Sequence, residues 1–179
     1  MQKKSTMYIV QGAVIAAMYA ALTIGQNLLL PGTASMAVQF RVAEVMAVLA
    51  FFTPAAIPGL TVGCVIANIS SVTAGLGFYD MIFGSIATLL AALAMRVLRD
   101  VKLLGIPFLG LLMPALFNGL IIGFEIDFFF IGNLNFNLVD FLIQGGLVAL
   151  GELGVLFVLG IPLTIIIEKN GLKKQLNNS

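Results

Sequence analysis

The chain has 179 residues, 60% of them hydrophobic and 9% charged, with a formal net charge of +1 and a mean hydropathy of +1.11. A soluble domain carries roughly 25% charged residues, so this surface must largely face lipid, and the length fits one all-α membrane domain over residues 1–179. The small net charge argues against nucleic acid as a partner, the absence of histidine removes the commonest general base and zinc or haem ligand, and the one cysteine, Cys64, excludes an intrachain disulfide.

A helix needs roughly 20 apolar residues to cross a bilayer, and six segments are predicted. Helix 1 covers 7–30. It follows the basic start Lys3-Lys4, but its apolar run is too long for a signal-peptide core and reads as a retained helix. A loop of Pro31-Gly32-Thr33-Ala34-Ser35 leads to helix 2, a short one over 39–52 with Pro54 and Pro58 at its exit. Helix 3 covers 56–72, and Ser70 to Tyr79 reads as a glycine- and serine-rich loop. Helix 4 covers 80–98, Arg99 to Lys102 is a charged turn, and helix 5 covers 104–124. An acidic and aromatic loop over 125–137 precedes helix 6 at 138–167 and a polar tail. Helices 2 and 3 read as two short spans rather than one re-entrant hairpin.

Lysine and arginine stay preferentially on the cytoplasmic side. Six spans with the N-terminus inside place Lys3, Lys4, Arg96, Arg99, Lys102, Lys169, Lys173 and Lys174 in the cytoplasm, and Asp80, Glu125, Asp127 and Asp140 outside. Arg41 is the cation left over on the outer side.

Small residues in lipid-embedded helices let backbones approach closely. Gly59, Gly63 and Ala67 recur at steps of four in helix 3, and Ala13, Ala17 and Ala21 do so in helix 1, with Ala16 and Ala20 beside them. Such stripes are close-approach surfaces, and their plain reading is packing within the bundle.

A charged side chain at mid-membrane costs at least about 2.5–3.5 kcal/mol, so polar groups there face a partner or a cavity. Arg41 and Glu44 are three apart and either pair with each other or hold a ligand. Asn68 lies near the end of helix 3. Asp80 opens helix 4 as a cap or as one end of an Asp80–Gly84–Thr88 stripe lining a pocket. Asn118 and Glu125 share a face of helix 5, one turn beyond a proline bend at Pro114, although Glu125 also reads as a solvated loop residue. Glu152 lies well inside helix 6 with no cation near it in sequence and Gln144 two turns earlier; it either pairs with Arg41 or binds a ligand. This set suits a small polar molecule with several donors. There is no nucleophile–base pair, no metal-binding string and no GxxxxGK[ST] string, so neither an enzyme, a metal, a cofactor nor self-energised transport is expected.

Six short helices, an AxxxA motif in helix 1 and about 180 residues resemble the substrate-binding S component of energy-coupling factor (ECF) transporters. The strings Gln39-Phe40-Arg41-Val42-Ala43-Glu44, Gly59-Leu60-Thr61-Val62-Gly63-Cys64 to Asn68, and Asp80 to Thr88 look like the QueT family, assigned to uptake of queuosine precursors. The resemblance implies a ligand captured outside, docking through Ala13, Ala17 and Ala21 onto a membrane T component, coupling to two cytoplasmic ATPases, and toppling to release the ligand inside. The ligand it implies is a 7-deazaguanine such as preQ0, preQ1 or queuine. Glu152, Glu125, Glu44 and Asp80 are the candidate acceptors for its N1–H and exocyclic amine, and Arg41, Asn68, Asn118 and Gln144 the candidate donors. Phe40, Phe78, Tyr79 and the Phe128–Phe130 run are candidates for stacking on the ring. The rival readings are an S component for another small vitamin, a membrane protein without a small ligand, and a small membrane enzyme.

With both termini cytoplasmic in the cell membrane, a cysteine placed at position 173 in a chain lacking Cys64 is expected to resist an impermeant thiol reagent in intact cells. External labelling there overturns the topology.

Overall fold

The computed structural model of the chain describes residues 2–30, 39–73, 78–103, 105–132 and 134–170. The helices are α1 (Gln2–Leu29), α2 (Val42–Phe51), α3 (Ala56–Thr73), α4 (Tyr79–Leu98), α5 (Phe108–Ile131) and α6 (Leu138–Lys169). Among the described residues there is no β-strand, only an isolated bridge between Leu103 and Ile106. Four helical stretches are long and apolar enough to cross a membrane: Ser5–Leu29, Tyr79–Leu98, Phe108–Ile131 and Leu138–Lys169. Val42–Phe51 and Ala56–Ile69 are shorter apolar helices. The loop expected at Pro31 to Ser35 and the tail carrying Lys173 and Lys174 lie outside the described residues.

Several boundaries differ from the expected ones for physical reasons. The expected loop over 125–137 is helical as far as Ile131, so α5 runs seven residues further and carries the phenylalanine run with it. The Ser70–Tyr79 loop begins later, because α3 continues to Thr73. Regular winding in α5 is interrupted at Leu112, and Pro114, two residues on, has no N–H for the Gly110 carbonyl. In α6 a π-turn occupies Leu156–Gly160, where Pro162 has no N–H for the Val158 carbonyl.

The 3₁₀ winding of α2 is the largest departure from an ordinary span. Gln39 to Arg41 enter it without helical structure, and Arg41 is extended at φ −83° and ψ 97°. Ala43, Glu44, Met46, Ala47, Val48, Ala50 and Phe51 are all buried, so α2 has no lipid-facing side comparable to those of the long helices. It contacts α1, α3, α4 and α6 and forms the centre of the core, with Tyr19, Leu60, Met95, Leu111 and Ile167 around it. At its C-terminal end the Phe51 carbonyl accepts from Arg96 Nη1 at 3.1 Å.

Around α2 the neighbouring pairs are α1 with α3, α3 with α4, α4 with α5, and α5 with α6. Glycine sets two of these contacts. A Cβ on Gly63 would lie 2.8 Å from the Ala16 carbonyl oxygen, and one on Gly59 would lie 2.7 Å from that of Gly12. The predicted glycine stripe of α3 therefore packs on α1. The α5–α6 contact is tighter still: a Cβ on Gly123 would lie 2.6 Å from the Gly145 Cα. With no hydrophobic force between helices in lipid, this close dispersion contact supplies the cohesion. The Lys102–Glu168 ion pair joins the α4–α5 turn to the end of α6, among the basic residues expected on the cytoplasmic side.

Gly145 and Gly146 separate packing from composition. A Cβ at Gly145 meets the Gly119 carbonyl oxygen at 2.5 Å, whereas one at Gly146 meets nothing within 4 Å. Gly145→Ala is expected to destabilise the protein by about 1–3 kcal/mol through overpacking. Gly146→Ala is expected to be neutral or to stabilise by up to about 1 kcal/mol through lost chain entropy. Melting curves of the two purified variants check this, and equal effects contradict the packing assignment.

Candidate functional site

The polar residues of the bundle converge on one side of α2. Gln26 of α1 prepares the entry: its amide nitrogen donates to the Phe40 carbonyl, and its amide oxygen accepts from the Val42 N–H at 2.8 Å. This clamp fixes the residues on both sides of Arg41. From behind, Gly151 of α6 lets the chain lean in, since a Cβ there would lie 3.0 Å from the Gln39 nitrogen. Arg41 is thereby pointed into the bundle, where it is 8% exposed.

Its guanidinium meets groups from two helices. Nη2 lies 3.4 Å from Asn68 Oδ1 of α3, and Nη1 lies 4.0 Å from Glu44 Oε1 of α2. The Arg41–Glu44 pair expected from the spacing forms, but at the outer limit of an ion pair. Glu44 takes its firmer bond from the Tyr19 hydroxyl of α1. Asn68 uses its amide nitrogen on the Asp80 backbone carbonyl at 2.9 Å, tying α3 to the first turn of α4. Asp80 itself is half-buried in that first turn, where a carboxylate suits the helix dipole, rather than at the cap position. The Asp80–Gly84–Thr88 stripe faces inward at Gly84 and Thr88. A Cβ on Gly84 would lie 2.8 Å from Asn68 Nδ2, so glycine leaves that amide its room.

On the opposite wall, α5 and α6 supply the remaining carboxylates. Asn118 Nδ2 donates to Glu152 Oε1 at 3.0 Å, across the helix pair joined by glycine. Glu152 is 1% exposed, and its Oε2 has no hydrogen-bond partner. Arg41 is near enough to act on Glu152 electrostatically, but the two form no ion pair within 4.0 Å. Arg41 Nε is also without a partner. A buried acceptor and a buried donor thus stand open in one cluster, in a native interior where the large majority of such atoms are paired.

Glu125 is not a solvated loop residue. It closes the α-helical part of α5, is 0% exposed, and lies beside the Asp80 carboxyl of α4. Asp127, expected as an outer acidic group, is also buried. Its Oδ2 accepts from the Asn137 N–H at 3.1 Å, and Asn137 in turn caps α6 by accepting from the Val139 N–H.

Not every candidate joins the cluster. Gln144 is half-exposed on α6 and makes no hydrogen bond or ion pair among the described residues. The aromatic candidates pack on one another: Tyr79 stacks on Phe129 with centroids 4.1 Å apart, Phe83 lies against Phe129, and Phe124 stacks on Phe128. Phe40 and Phe78 are exposed. On α1 the two alanine stripes separate cleanly: Ala16 and Ala20 are buried, while Ala13, Ala17 and Ala21 are exposed. Tyr19 and Gln26 are the network residues absent from the candidates above, with Thr23 between them bonded to the Tyr19 carbonyl of its own helix. Their spacing of four and three along α1, polar within an apolar run, is the signal that marks them.

Residues 9–169 match the family described as QueT transporter. The chain is similar to the queuosine precursor transporter QueT of Lactococcus lactis subsp. cremoris (strain MG1363), with 34% identity over 164 residues, covering 88% of this chain and 90% of that protein. No solved structure matches the chain.

Proposed function

This chain belongs to the QueT transporter family, and on that premise we propose that it is the substrate-binding S component of an ECF transporter that captures a 7-deazaguanine queuosine precursor. It is a multi-pass membrane protein. In this reading α2 and α3 complete six crossings of the cell membrane, with both termini cytoplasmic. The observation that carries the binding role is the open pair inside the bundle, Glu152 Oε2 as acceptor and Arg41 Nε as donor.

A 7-deazaguanine complements that pair. Its N1–H and exocyclic amine are adjacent donors, which one carboxylate accepts together, and its O6 is an acceptor suited to a guanidinium. Glu152 takes the donor edge, oriented by Asn118, and Arg41 takes the oxygen, oriented by Asn68 and Glu44. A buried carboxylate oxygen without a donor has lost water and gained nothing in its place. Binding relieves that cost, so affinity comes from groups placed before the ligand arrives.

Energy for transport comes from elsewhere, since the chain lacks a GxxxxGK[ST] string. The exposed stripe of Ala13, Ala17 and Ala21 docks on the membrane T component, which joins the chain to two cytoplasmic ATPases. Small side chains there permit the close helix contact that substitutes for a hydrophobic force in lipid.

Glu152→Gln replaces an acceptor with a donor that faces a donor. At roughly 1.5–3 kcal/mol per charge-assisted hydrogen bond, affinity for a 7-deazaguanine is expected to fall by about two orders of magnitude or more. Calorimetric titration of the purified variant, beside a panel of vitamins and a melting curve, measures this. Unchanged affinity with a lowered melting temperature, restored by Arg41→Gln in the same chain, makes Glu152 a structural partner of Arg41 instead.

Ala17→Trp is expected to abolish assembly with the T component while leaving 7-deazaguanine affinity within threefold. Loss of binding with assembly intact reverses the assignment of that stripe.

A further inference from the structure

A second polar cavity lies at the far end of the bundle. The α4 helix runs 20 residues, about 30 Å, with Asp80 in its first turn and Arg99 just past its last. The cavity, of about 240 Å³, sits between Phe51 and Phe52 at the end of α2, the α4–α5 turn and Glu168 near the end of α6. The length of α2, roughly 20 Å at a 3₁₀ rise, separates it from Arg41. Pockets that engulf a whole small molecule measure roughly 300–1,000 Å³, so this one suits a head group with the rest of the molecule outside.

Positive charge is in excess here. Arg96, Arg99, Lys102 and Lys169 stand around the turn and the end of α6 against Asp100 and Glu168. Both acids are paired, yet neither pair uses up its cation. Arg99 Nε lies 3.3 Å from Asp100 Oδ2, with the side chains 38% and 83% exposed, and a pair so open to water is worth little. The terminal nitrogens of the Arg99 fork make no hydrogen bond or ion pair among the described residues. Lys102 gives one hydrogen bond to Glu168, and an ammonium has three donors.

The same segment turns hydrocarbon outward. Val97, Val101, Leu103 and Leu109 are exposed beside these charges in the chain. The apolar stretches Tyr79–Leu98 and Phe108–Ile131 both stop at this turn, which places the cavity at head-group level.

We infer that this cavity binds an anionic phospholipid, its phosphate held by Arg99 and Lys102 and its acyl chains lying along Val97, Val101 and Leu103. Phosphate oxygens only accept, while the guanidinium fork and the ammonium only donate. Basic pockets between transmembrane helices on the cytoplasmic side hold such head groups, and this is the end proposed as cytoplasmic. A glycerol head group adds hydroxyl donors for Asp100 and Glu168. A choline head group adds a cation without a donor to a site already rich in cations.

Native mass spectrometry of the full chain, released from mixed micelles with phosphatidylglycerol and phosphatidylcholine at equal concentration, tests this. Singly lipidated protein is expected to carry phosphatidylglycerol at least about fivefold more often, the worth of one basic residue near a charged surface. Arg99→Gln is expected to bring that ratio near parity. Asp100→Asn is expected to raise it by removing a competing anion, and it serves where Arg99→Gln does not fold. A purely structural Arg99–Asp100 pair predicts instead that both substitutions lower the melting temperature and neither moves the ratio. Equal retention of the two lipids, a ratio unchanged by Arg99→Gln, or one lowered by Asp100→Asn overturns the site. Displacement of phosphatidylglycerol by excess inorganic phosphate overturns the phospholipid as its occupant in favour of a free phosphate.

Discussion

The architecture depends on keeping one guanidinium inside an apolar bundle. Arg41 has no place in lipid, and it does not emerge from a long helix that would carry it to the interface. It is held at the start of α2 by the Gln26 clamp on Phe40 and Val42 and by the backbone of Gln39 lying on Gly151. Each element around it then answers the same requirement. The α1 helix contributes Tyr19 to Glu44, α3 contributes Asn68, and α5 and α6 bring Asn118 and Glu152 together. A polar interior of this kind specifies one arrangement of helices, because most alternatives strand a charge.

Glycine and the polar cluster support each other. The Gly119, Gly123 and Gly145 contacts bring α5 and α6 to backbone distance, and only at that distance does the Asn118 amide reach Glu152. On the other side, Gly59 and Gly63 seat α3 on α1, which brings Asn68 and Tyr19 to the same Arg41–Glu44 pair. Packing in lipid is dispersion over short distances, so the glycines that maximise contact also set the hydrogen-bond geometry. A larger residue at Gly145 changes both at once.

The long helices were legible because their signal is length. An unbroken apolar run such as Leu138–Lys169 has few other readings. The α3 stripe of Gly59 and Gly63 was legible for a similar reason, since a step of four states which face packs. Glu125 reads in sequence both as a site carboxylate and as a solvated loop residue, because the apolar run breaks at Glu125 and Asp127; the phenylalanines after it are the sign that the helix continues. Gln144 lies two turns from Glu152 in the chain, and the offset of roughly 80° over those eight residues, visible in the sequence, turns it from that face. The 3₁₀ winding of α2 had no local signal. Its residues favour no particular helix type, and the neighbours that bury it on most sides come from α1, α3, α4 and α6. Which alanine stripe of α1 lies outside was likewise undecided in sequence, since Ala16 and Ala17 are both small and only the position of α3 distinguishes them.

The winding of α2 has a consequence for where water meets the protein. Ten residues at a 3₁₀ rise of about 2.0 Å cover roughly 20 Å, against a hydrocarbon thickness of about 30 Å. Even stretched in this way, α2 falls short of the slab that the outer helices span, and Arg41 stands at one of its ends. Because α2 is buried among α1, α3, α4 and α6 rather than set against lipid, that shortfall is met inside the bundle and not by the bilayer. In the proposed binding role, a polar solute gives up its hydration beside Arg41 and Glu152, whose open donor and acceptor replace that water.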